Sequence, residues 1–375
     1  MENIYVYGIL LVISFFACYF TEPLAIKFAV KKGIIDNPKQ DDRRVHKKPT
    51  PRAGGIAIIA SIMFSLLLYY IASIFIDDLK VDNRFFGYII GALIIGAMGL
   101  IDDIKNLKAM QKFLMQIVAA TIVYIFGISI IGVKIPFIYK NLIDFGIFAY
   151  PVTVIWVLAI TNAVNLIDGL DGLAAGISSI SAISLLTIFA ITGAPIEVVV
   201  ITIALVGATL GFLPYNFNPA KTFMGDVGSN FLGFTLAVVS IMGMAKGYTV
   251  LAIVAPIIIL GIPIFDMVFA IVRRLWRGQS VMTADKDHVH HRLLRRGLSQ
   301  KQTVLILYGF TSIFGITAVA ITANMIYQLI LLILAISCIL AVYIVYKKMK
   351  KEEDEEGEIL TISEKSNSKE KTNDK

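Results

Sequence analysis

Polar side chains that could do chemistry fall into five short clusters along the chain. The clusters are Arg43 to His46, Asp102-Asp103, Asn162 to Asp171, Gly225-Asp226 and His288 to His291. Carboxylate and amide oxygens are ligands for hard divalent cations, and arginine and histidine side chains bind phosphate or transfer protons. This combination predicts chemistry on a phosphate-bearing substrate with the help of a divalent cation.

The cluster from 162 to 171 has the most informative spacing. Asparagine and aspartate recur at every third position: Asn162, Asn165, Asp168 and Asp171. Residues three apart share a helix face, and Gly169 and Gly172 let the helix end and the backbone approach a ligand. The pattern predicts a binding or catalytic site. The structural alternative is a set of hydrogen bonds to neighbouring helices.

Two adjacent carboxylates, Asp102 and Asp103, directly follow an apolar run. Such a pair at a membrane boundary is costly unless it is solvated, paired or bound to a cation. Neighbours on a helix point about 100° apart, so one carboxylate is predicted to support a metal and the other to act as a base. Which residue takes which role stays open, and a solvated loop start is the alternative.

Asp226 stands between Gly225 and Gly228, where a new helix is predicted to begin. The free N–H groups of a helix start bind anions, and the carboxylate beside them would hold a divalent cation. In the same loop, Phe223 is a candidate to stack on a base and Asn216 is a candidate for substrate contact. The alternative for Asp226 is a simple N-cap.

Three of the four histidines, His288, His290 and His291, lie within four residues. No cysteine is nearby, and the adjacent pair is not helically spaced, which argues against zinc. The surrounding arginines, including Arg292, favour a phosphate site. Incidental histidines in a solvated basic loop are the alternative.

Lysines near two of the clusters are further candidates for phosphate contacts. They are Lys47 and Lys48 in the first basic loop, which ends in Gly54-Gly55, and Lys112 after the acidic pair. The tendency of cytoplasmic loops to be basic is the alternative explanation for the first two.

Long apolar runs must position these clusters. The chain has 375 residues, of which 57% are hydrophobic and 16% charged, so we predict an all-α polytopic membrane protein. A segment at 133–149 is predicted to form a small extracytoplasmic hairpin or interfacial element. Eleven transmembrane helices are predicted, near residues 5–27, 54–76, 85–101, 113–132, 150–167, 173–192, 196–214, 229–245, 249–271, 303–322 and 326–346.

The basic residues set the predicted orientation. One set of loops holds 28 of the 34 Lys and Arg residues, which places that set in the cytoplasm, the N-terminus outside and the C-terminus inside. All five polar clusters then face the cytoplasm and form one cleft. The predicted domains are an integral membrane domain, 1–346, and a charged, disordered cytoplasmic tail, 347–375. The net charge of +7 indicates orientation and lipid contact rather than nucleic-acid binding.

At its polar clusters the chain resembles the polyprenyl-phosphate N-acetylhexosamine-1-phosphate transferase family, over roughly residues 23–346. The motifs that carry the resemblance are Pro49 to Gly55, Gly99 to Asp103, Asn162 to Gly172, Phe223 to Ser229 and His288 to His291. The resemblance implies an enzyme of the bacterial plasma membrane that uses Mg²⁺, or alternatively Mn²⁺. It would move an aminosugar-1-phosphate from a UDP-sugar to undecaprenyl phosphate and release UMP.

Val289 and Arg292 depart from the three histidines plus Phe-Glu of the branch that acts on UDP-MurNAc-pentapeptide. This departure resembles the branch that uses UDP-GlcNAc and starts teichoic acid linkage units, O antigens and related polymers. The exact aminosugar and the downstream polymer stay open, and a homodimer is compatible with the pattern.

The expected roles follow from the residues and the resemblance together. Asp226 and Asn165 would hold the metal, and Asp102 or Asp103 would act on the lipid phosphate. By resemblance, Asp168 and Phe223 would engage uracil and Asp171 would support the site. The three histidines would bind phosphates or sugar, and the remaining substrate-binding candidates are Lys47, Lys48, Lys112, Asn162, Asn216 and Arg292.

Two other classes of protein fit a chain with eleven spans. A transporter or lipid flippase would place ionisable groups near the bilayer midplane, often in paired halves, and no repeat is visible in this sequence. A catalytically inactive scaffold would recruit other enzymes through its loops, which the intact acidic motifs argue against.

Overall fold

Long apolar helices dominate the computed structural model, which describes residues 4–38, 48–135, 139–244, 250–278 and 288–323. The helices in these ranges are α1 (Ile4–Lys32), α2 (Gly54–Phe75), α3 (Asn83–Lys105), α4 (Ala109–Ile125), α5 (Ala149–Ile167), α6 (Leu173–Thr192), α7 (Ile196–Asn216), α8 (Gly225–Met244), α9 (Val250–Ile259), α10 (Gly261–Trp276), α11 (Val289–Arg295) and α12 (Gln300–Ala323). The strands are β1 (Ile35–Asp36), β2 (Thr50–Pro51), β3 (Gly132–Ile135) and β4 (Tyr139–Asp144).

Eight of these helices are long and apolar enough to cross a membrane, namely α1, α2, α3, α5, α6, α7, α8 and α12. Each has at least 18 residues and a predominantly apolar stretch of 18 residues, close to the length that matches the hydrocarbon core of a bilayer. The prediction of an all-α polytopic membrane protein is confirmed. The predicted eleventh span, 326–346, and the predicted tail, 347–375, lie outside the described residues.

The predicted ninth span, 249–271, is wrong as a single helix. It consists of α9 and α10, which meet at Leu260. Pro263 has no N–H to donate to the carbonyl of Ile259. The series of helical hydrogen bonds is therefore interrupted between α9 and α10. A second proline, Pro256, lies inside α9.

The predicted fourth span, 113–132, is also too long at its C-terminal end. The helix α4 ends at Ile125, and Gly127 follows in the left-handed conformation with φ of 86°. The Ile128 N–H donates to the carbonyl of Val123 at 3.1 Å, a common way for a helix to end at glycine. The chain then forms the antiparallel hairpin of β3 and β4, as predicted for this segment.

Helix α8 lies at the centre of the bundle. An 18-residue stretch of α8 is 89% buried, the highest share among the eight long helices. Glycines bring its neighbours close. A Cβ at Gly99 of α3 would lie 2.5 Å from Val227 Cα, and a Cβ at Gly233 would lie 2.7 Å from Thr161 Cα of α5. Small residues at such crossings let helix backbones approach in a membrane.

Candidate active site

The backbone after the first loop runs beside the loop between α7 and α8. The Phe223 N–H donates to the Pro51 carbonyl at 2.8 Å, and the N–H groups of Ala53 and Gly54 both donate to the Phe223 carbonyl at 3.0 Å. In a fourth hydrogen bond, the Gly55 N–H donates to the Met224 carbonyl at 2.9 Å. We call these contacts between residues 51–55 and 222–228 the backbone seam. Two motifs that are far apart in sequence are joined by it.

Asp103 caps the start of α8. Its Oδ1 accepts the Asp226 N–H at 3.0 Å and its Oδ2 accepts the Val227 N–H at 3.1 Å. The Asp103 side chain is 1% exposed, and a Cβ at Gly225 would meet its carboxylate. Both oxygens of Asp103 are therefore occupied by backbone donors, which suits a positioning role.

Asp102 has different partners from its neighbour. Its Oδ1 accepts the Leu107 N–H at 2.7 Å, which fixes the turn after α3, and its Oδ2 pairs with Lys112 Nζ. The same Lys112 Nζ lies 2.9 Å from Asp226 Oδ2. One ammonium group thus neutralises two carboxylates from separate motifs.

Asp226 has a donor on each oxygen. Besides Lys112 on Oδ2, Asn165 Nδ2 donates to Oδ1 at 2.9 Å and also contacts Ser229 Oγ at 2.8 Å. Within the described ranges, no group of three Asp, Glu, His or Cys side chains is placed to hold a metal ion. Magnesium sites that process phosphates use one or two carboxylates and take further oxygens from the substrate and water. Asp226, with the Asn165 amide beside it, fits that donor set.

Asp168 follows the end of α5 and lines a cavity that lies between these residues. Burial raises the pKa of its carboxyl to about 8, and the nearby Asp226 charge adds to this rise against the opposing effect of Arg52. A carboxyl that is largely protonated near neutral pH offers both a donor and an acceptor. That pairing suits the polar edge of a nucleobase, the role that the resemblance implies for Asp168.

Asp171 and Asn216 tie two loops together. Asp171 Oδ2 accepts from Asn218 Nδ2 at 2.9 Å and from the Ala220 N–H at 3.0 Å. Asn216 accepts the Gly172 N–H at 3.0 Å. Both residues lie at the cavity wall and are buried, so their polar groups mainly hold the turn at 168–172 against the loop before α8.

Asn162 lies one helical turn deeper than Asn165. Its Nδ2 donates to Gln116 Oε1 at 2.8 Å, and Gln116 Nε2 donates to Asn230 Oδ1 at 3.1 Å. Asn230 in turn donates to the Asp226 carbonyl at 2.8 Å. These bonds connect α5, α4 and α8 behind the site, as in the structural alternative for this pattern.

The histidine cluster is held by an acid that the sequence analysis did not select. His288 Nδ1 lies 2.8 Å from Asp266 Oδ2 of α10. The His290 ring packs against Gly169, and burial lowers its pKa to about 3, with His291 adding to that effect. His290 is therefore a neutral side chain that packs α11 onto the turn at 168–172.

A second acid outside the predicted clusters holds an arginine of the cavity wall. Asp36 Oδ1 lies 2.9 Å from Arg52 Nη2, and Arg52 Nη1 lies 3.6 Å from Asp103 Oδ1. These neighbouring carboxylates raise the pKa of the Arg52 guanidinium, against the opposing effect of burial. Arg52 keeps a fixed positive charge beside Asp226 and Asp168.

The cavity at the centre of these residues has a volume of about 480 Å³, the size of a small-ligand site. Nine predicted residues line it: Asn165, Asp168, Asp171, Asn216, Phe223, Asp226, His288, His290 and His291. Three polar residues that the sequence analysis did not select as site candidates also line it: Asp36, Arg52 and Gln300. The wall does not include Lys48, Asp102, Asp103, Lys112, Asn162 or Arg292, and Lys47 lies outside the described residues.

Comparison with known proteins identifies the group to which this architecture belongs. A family model described as glycosyl transferase family 4 matches residues 85–244. The chain is 37% identical over 316 residues to the probable undecaprenyl-phosphate N-acetylglucosaminyl 1-phosphate transferase of Bacillus subtilis. The aligned region covers 84% of this chain and 85% of that protein.

Two further relatives extend the comparison. The decaprenyl-phosphate N-acetylglucosaminephosphotransferase of Mycobacterium tuberculosis is 35% identical over 331 residues, or 80% of this chain and 78% of its own. The phospho-N-acetylmuramoyl-pentapeptide-transferase of Halalkalibacterium halodurans is 32% identical over 324 residues, or 82% and 95% of the two chains. These relatives are transferases, which argues against the transporter and scaffold alternatives. The chain therefore belongs to the polyprenyl-phosphate N-acetylhexosamine-1-phosphate transferase family, as a multi-pass bacterial membrane enzyme.

Proposed function

We propose that this enzyme transfers N-acetylglucosamine-1-phosphate from UDP-GlcNAc to undecaprenyl phosphate and releases UMP. The product would be the first lipid-linked intermediate of a cell-envelope glycopolymer, such as a teichoic acid linkage unit. The relatives from Bacillus subtilis and Mycobacterium tuberculosis carry N-acetylglucosamine transfer in their names, which supports the donor. The sequence leaves a homodimer open, and the particle mass in detergent would decide between a monomer and a dimer.

The observation that carries the proposal is the set of charges around Asp226. Asp226, Asp168 and Arg52 line one cavity, and Lys112 holds the far side of the Asp226 carboxylate. Two phosphate-bearing reactants repel each other, so a catalyst must neutralise their charge and align them. Alignment alone can contribute about 7–11 kcal/mol in favourable cases.

A divalent cation, when bound, would supply charge neutralisation at the donor diphosphate. Asp226 and Asn165 are the residues proposed to hold it. Arg52 would contact phosphate oxygens, and Asp168 and Phe223 would hold the uracil. An oxygen of the lipid phosphate forms the new bond to the sugar-bearing phosphorus, while the bond from that phosphorus to the UMP oxygen breaks.

Asp102 and Asp103 enter the proposal as positioning residues rather than as a base. A phosphate monoester has its second pKa near 6, so most of the lipid phosphate is already deprotonated at neutral pH. The carboxylate of Asp103 holds α8 and that of Asp102 holds Lys112. Their part is therefore to keep Asp226 at its place in the cavity.

The direct test uses purified membranes with radiolabelled UDP-GlcNAc, undecaprenyl phosphate and Mg²⁺. Asp226→Asn is expected to lower transfer and UMP exchange by about 10²- to 10³-fold, because an oriented charge at the phosphates is lost. Asp78→Asn changes an exposed acid beyond the other end of α2 and is expected to keep wild-type turnover. Exchange that persists in Asp226→Asn would remove Asp226 from the metal site.

A donor panel tests the substrate assignment separately. Wild-type enzyme is offered UDP-GlcNAc, UDP-GalNAc and UDP-MurNAc-pentapeptide at equal concentrations. We expect the highest kcat/KM with UDP-GlcNAc. Preferred use of UDP-MurNAc-pentapeptide would move the enzyme to the other branch of its family.

A further inference from the structure

Asp266 is a buried acid of α10 that the proposed reaction does not use. It is 3% exposed, and its two carboxylate oxygens bind neighbouring groups at the start of α11. Oδ2 lies 2.8 Å from His288 Nδ1, and Oδ1 accepts the Val289 N–H at 2.9 Å. The carboxylate therefore holds the histidine ring and the backbone beside it at the same time.

An acid at this position is costly for the helix that carries it. The neighbours of Asp266 in α10 are mainly apolar, and a carboxylate in such surroundings is costly unless hydrogen bonds satisfy it. Two hydrogen bonds from the start of α11 offset part of that cost. Polar groups kept in such surroundings commonly belong to a functional site.

The two bonds determine which ring atom of His288 is available to a ligand. Because the carboxylate accepts a hydrogen bond, Nδ1 carries a proton, and Nε2 on the other side of the ring is left for the cavity that His288 lines. The His290 ring lies nearly parallel to the His288 ring, at an angle of 4° and a centroid distance of 5.8 Å. The Asp266 carboxylate and the His290 ring together fix the plane of the His288 ring.

We propose that Asp266 is a positioning residue that directs Nε2 of His288, which can accept a hydrogen bond, toward a hydroxyl group of the sugar in the bound UDP-sugar. Carboxylates that orient a histidine in this way are known to matter about 10- to 100-fold when the histidine binds a metal. The inference rests on the proposed function, since it assigns the contact of one residue in that same site. Asp266 itself does not line the cavity, so it acts through the groups that it holds, the His288 ring and the Val289 N–H. The inference assigns its effect on turnover to the ring.

A double-mutant cycle tests this dependence. Wild type, Asp266→Asn, His288→Gln and the double variant are purified in detergent, and kcat and KM for UDP-GlcNAc are measured at saturating undecaprenyl phosphate. Asp266→Asn is expected to lower kcat by about 10- to 100-fold. The double variant should stay within about threefold of His288→Gln, because Asp266 then has no ring to position.

Glu197→Gln is the matched control. Glu197 of α7 is a buried acid whose Oε1 accepts from Arg84 Nη2 at 2.6 Å, and it does not line the cavity. Neutralising it is expected to leave kcat unchanged, which separates the removal of a buried charge from the loss of a positioning contact. Melting temperatures of all variants are compared in the same detergent.

Two results would overturn the inference: a kcat for Asp266→Asn within about threefold of wild type, or losses that multiply in the double variant. If Asp266→Asn does not fold, Asp266→Glu replaces it in the cycle, since glutamate keeps the charge but displaces the oxygens. A loss of kcat that persists in the His288→Gln background would again exclude positioning. A wild-type enzyme that transfers nothing from UDP-GlcNAc would refute the proposed function instead.

Discussion

Asp103 uses both of its carboxylate oxygens to bind the first N–H groups of α8. An amide at this position has only one acceptor oxygen, and its NH₂ group would face a backbone donor. The residue is thus required to be a carboxylate for reasons of structure, although it does not line the cavity. A short acidic motif can thus support residues of a cavity that it does not itself line.

Asp103→Asn is therefore expected to lower both stability and turnover. The loss of one of the two hydrogen bonds costs about 0.5–1.5 kcal/mol, and a displaced Asp226 would reduce kcat by about 10²-fold. The control is Asp82→Ala, which removes the N-cap of α3 at the other end of the helix that carries Asp103, at a cost of about 0.5–2 kcal/mol. Melting temperature and transfer are measured for both. Equal turnover in the two variants would contradict the positioning role.

His290 gives a prediction about pH. Its pKa of about 3 in the folded protein lies below the value of about 6.5 for an unperturbed histidine. As the pH falls below 6.5, the unfolded chain binds a proton that the folded chain does not, so stability decreases toward pH 3. His290→Asn is expected to flatten the dependence of melting temperature on pH between 7 and 5. An unchanged slope would contradict the prediction.

At the scale of elements, the position of α8 depends on close backbone contacts. A Cβ at Gly55 of α2 would lie 2.6 Å from the Met224 carbonyl oxygen and 2.7 Å from Gly228 Cα. Real Cβ atoms do not approach backbone so closely, so α2 would have to move away from α8. Such a shift would open the backbone seam that adjoins Arg52 and Phe223.

Gly55→Ala is accordingly expected to reduce the melting temperature by several degrees and to lower transfer. Gly309→Ala in α12 is its control, since a Cβ there meets nothing within 4 Å and alanine favours a helix by about 1 kcal/mol over glycine. That variant should be as stable as wild type or slightly more stable. Similar melting temperatures for the two variants would contradict the close packing of α2 on α8.

The helices were largely predictable because a membrane span needs a continuous apolar run of a known length. The breaks were not, because they depend on single residues inside such runs. Pro263 ends the hydrogen bonding between α9 and α10, and Gly127 ends α4. Both residues were available as signals, since proline and glycine mark helix ends, but a count of hydrophobic residues does not register them.

At the scale of the whole molecule, the site is made from segments that lie far apart in sequence. Asp36, Arg52, Asp168, Asp226 and His288 all line one cavity. Three of the predicted clusters meet there: Asn165 to Asp171, Asp226 and the histidines. Their place in one site was predictable because each cluster repeats or combines residue types that bind metal ions or phosphate. Asp36 and Asp266 could not be found in this way, because each is a single acid whose importance comes from the partner it meets in the fold.

The orientation of the bundle is a further prediction. Lys48 precedes α2 and Lys80 follows it, both are exposed, and the positive-inside rule places Lys48 in the cytoplasm. With Cys18 and Cys338 replaced by serine, Lys48→Cys should react with an impermeant maleimide only in inverted vesicles. Lys80→Cys should react only in right-side-out vesicles, and labelling of both from one side would contradict the orientation.

The backbone seam has a consequence for the assembly of the enzyme during its synthesis. The carbonyls and N–H groups that hold residues 51–55 belong to residues 223 and 224, and the donors that satisfy Asp103 belong to residues 226 and 227. During synthesis, the first three helices leave the ribosome well before any of these partners exist. The active site can therefore form only after α8 has entered the bilayer. A polypeptide truncated before α8 would have no activity.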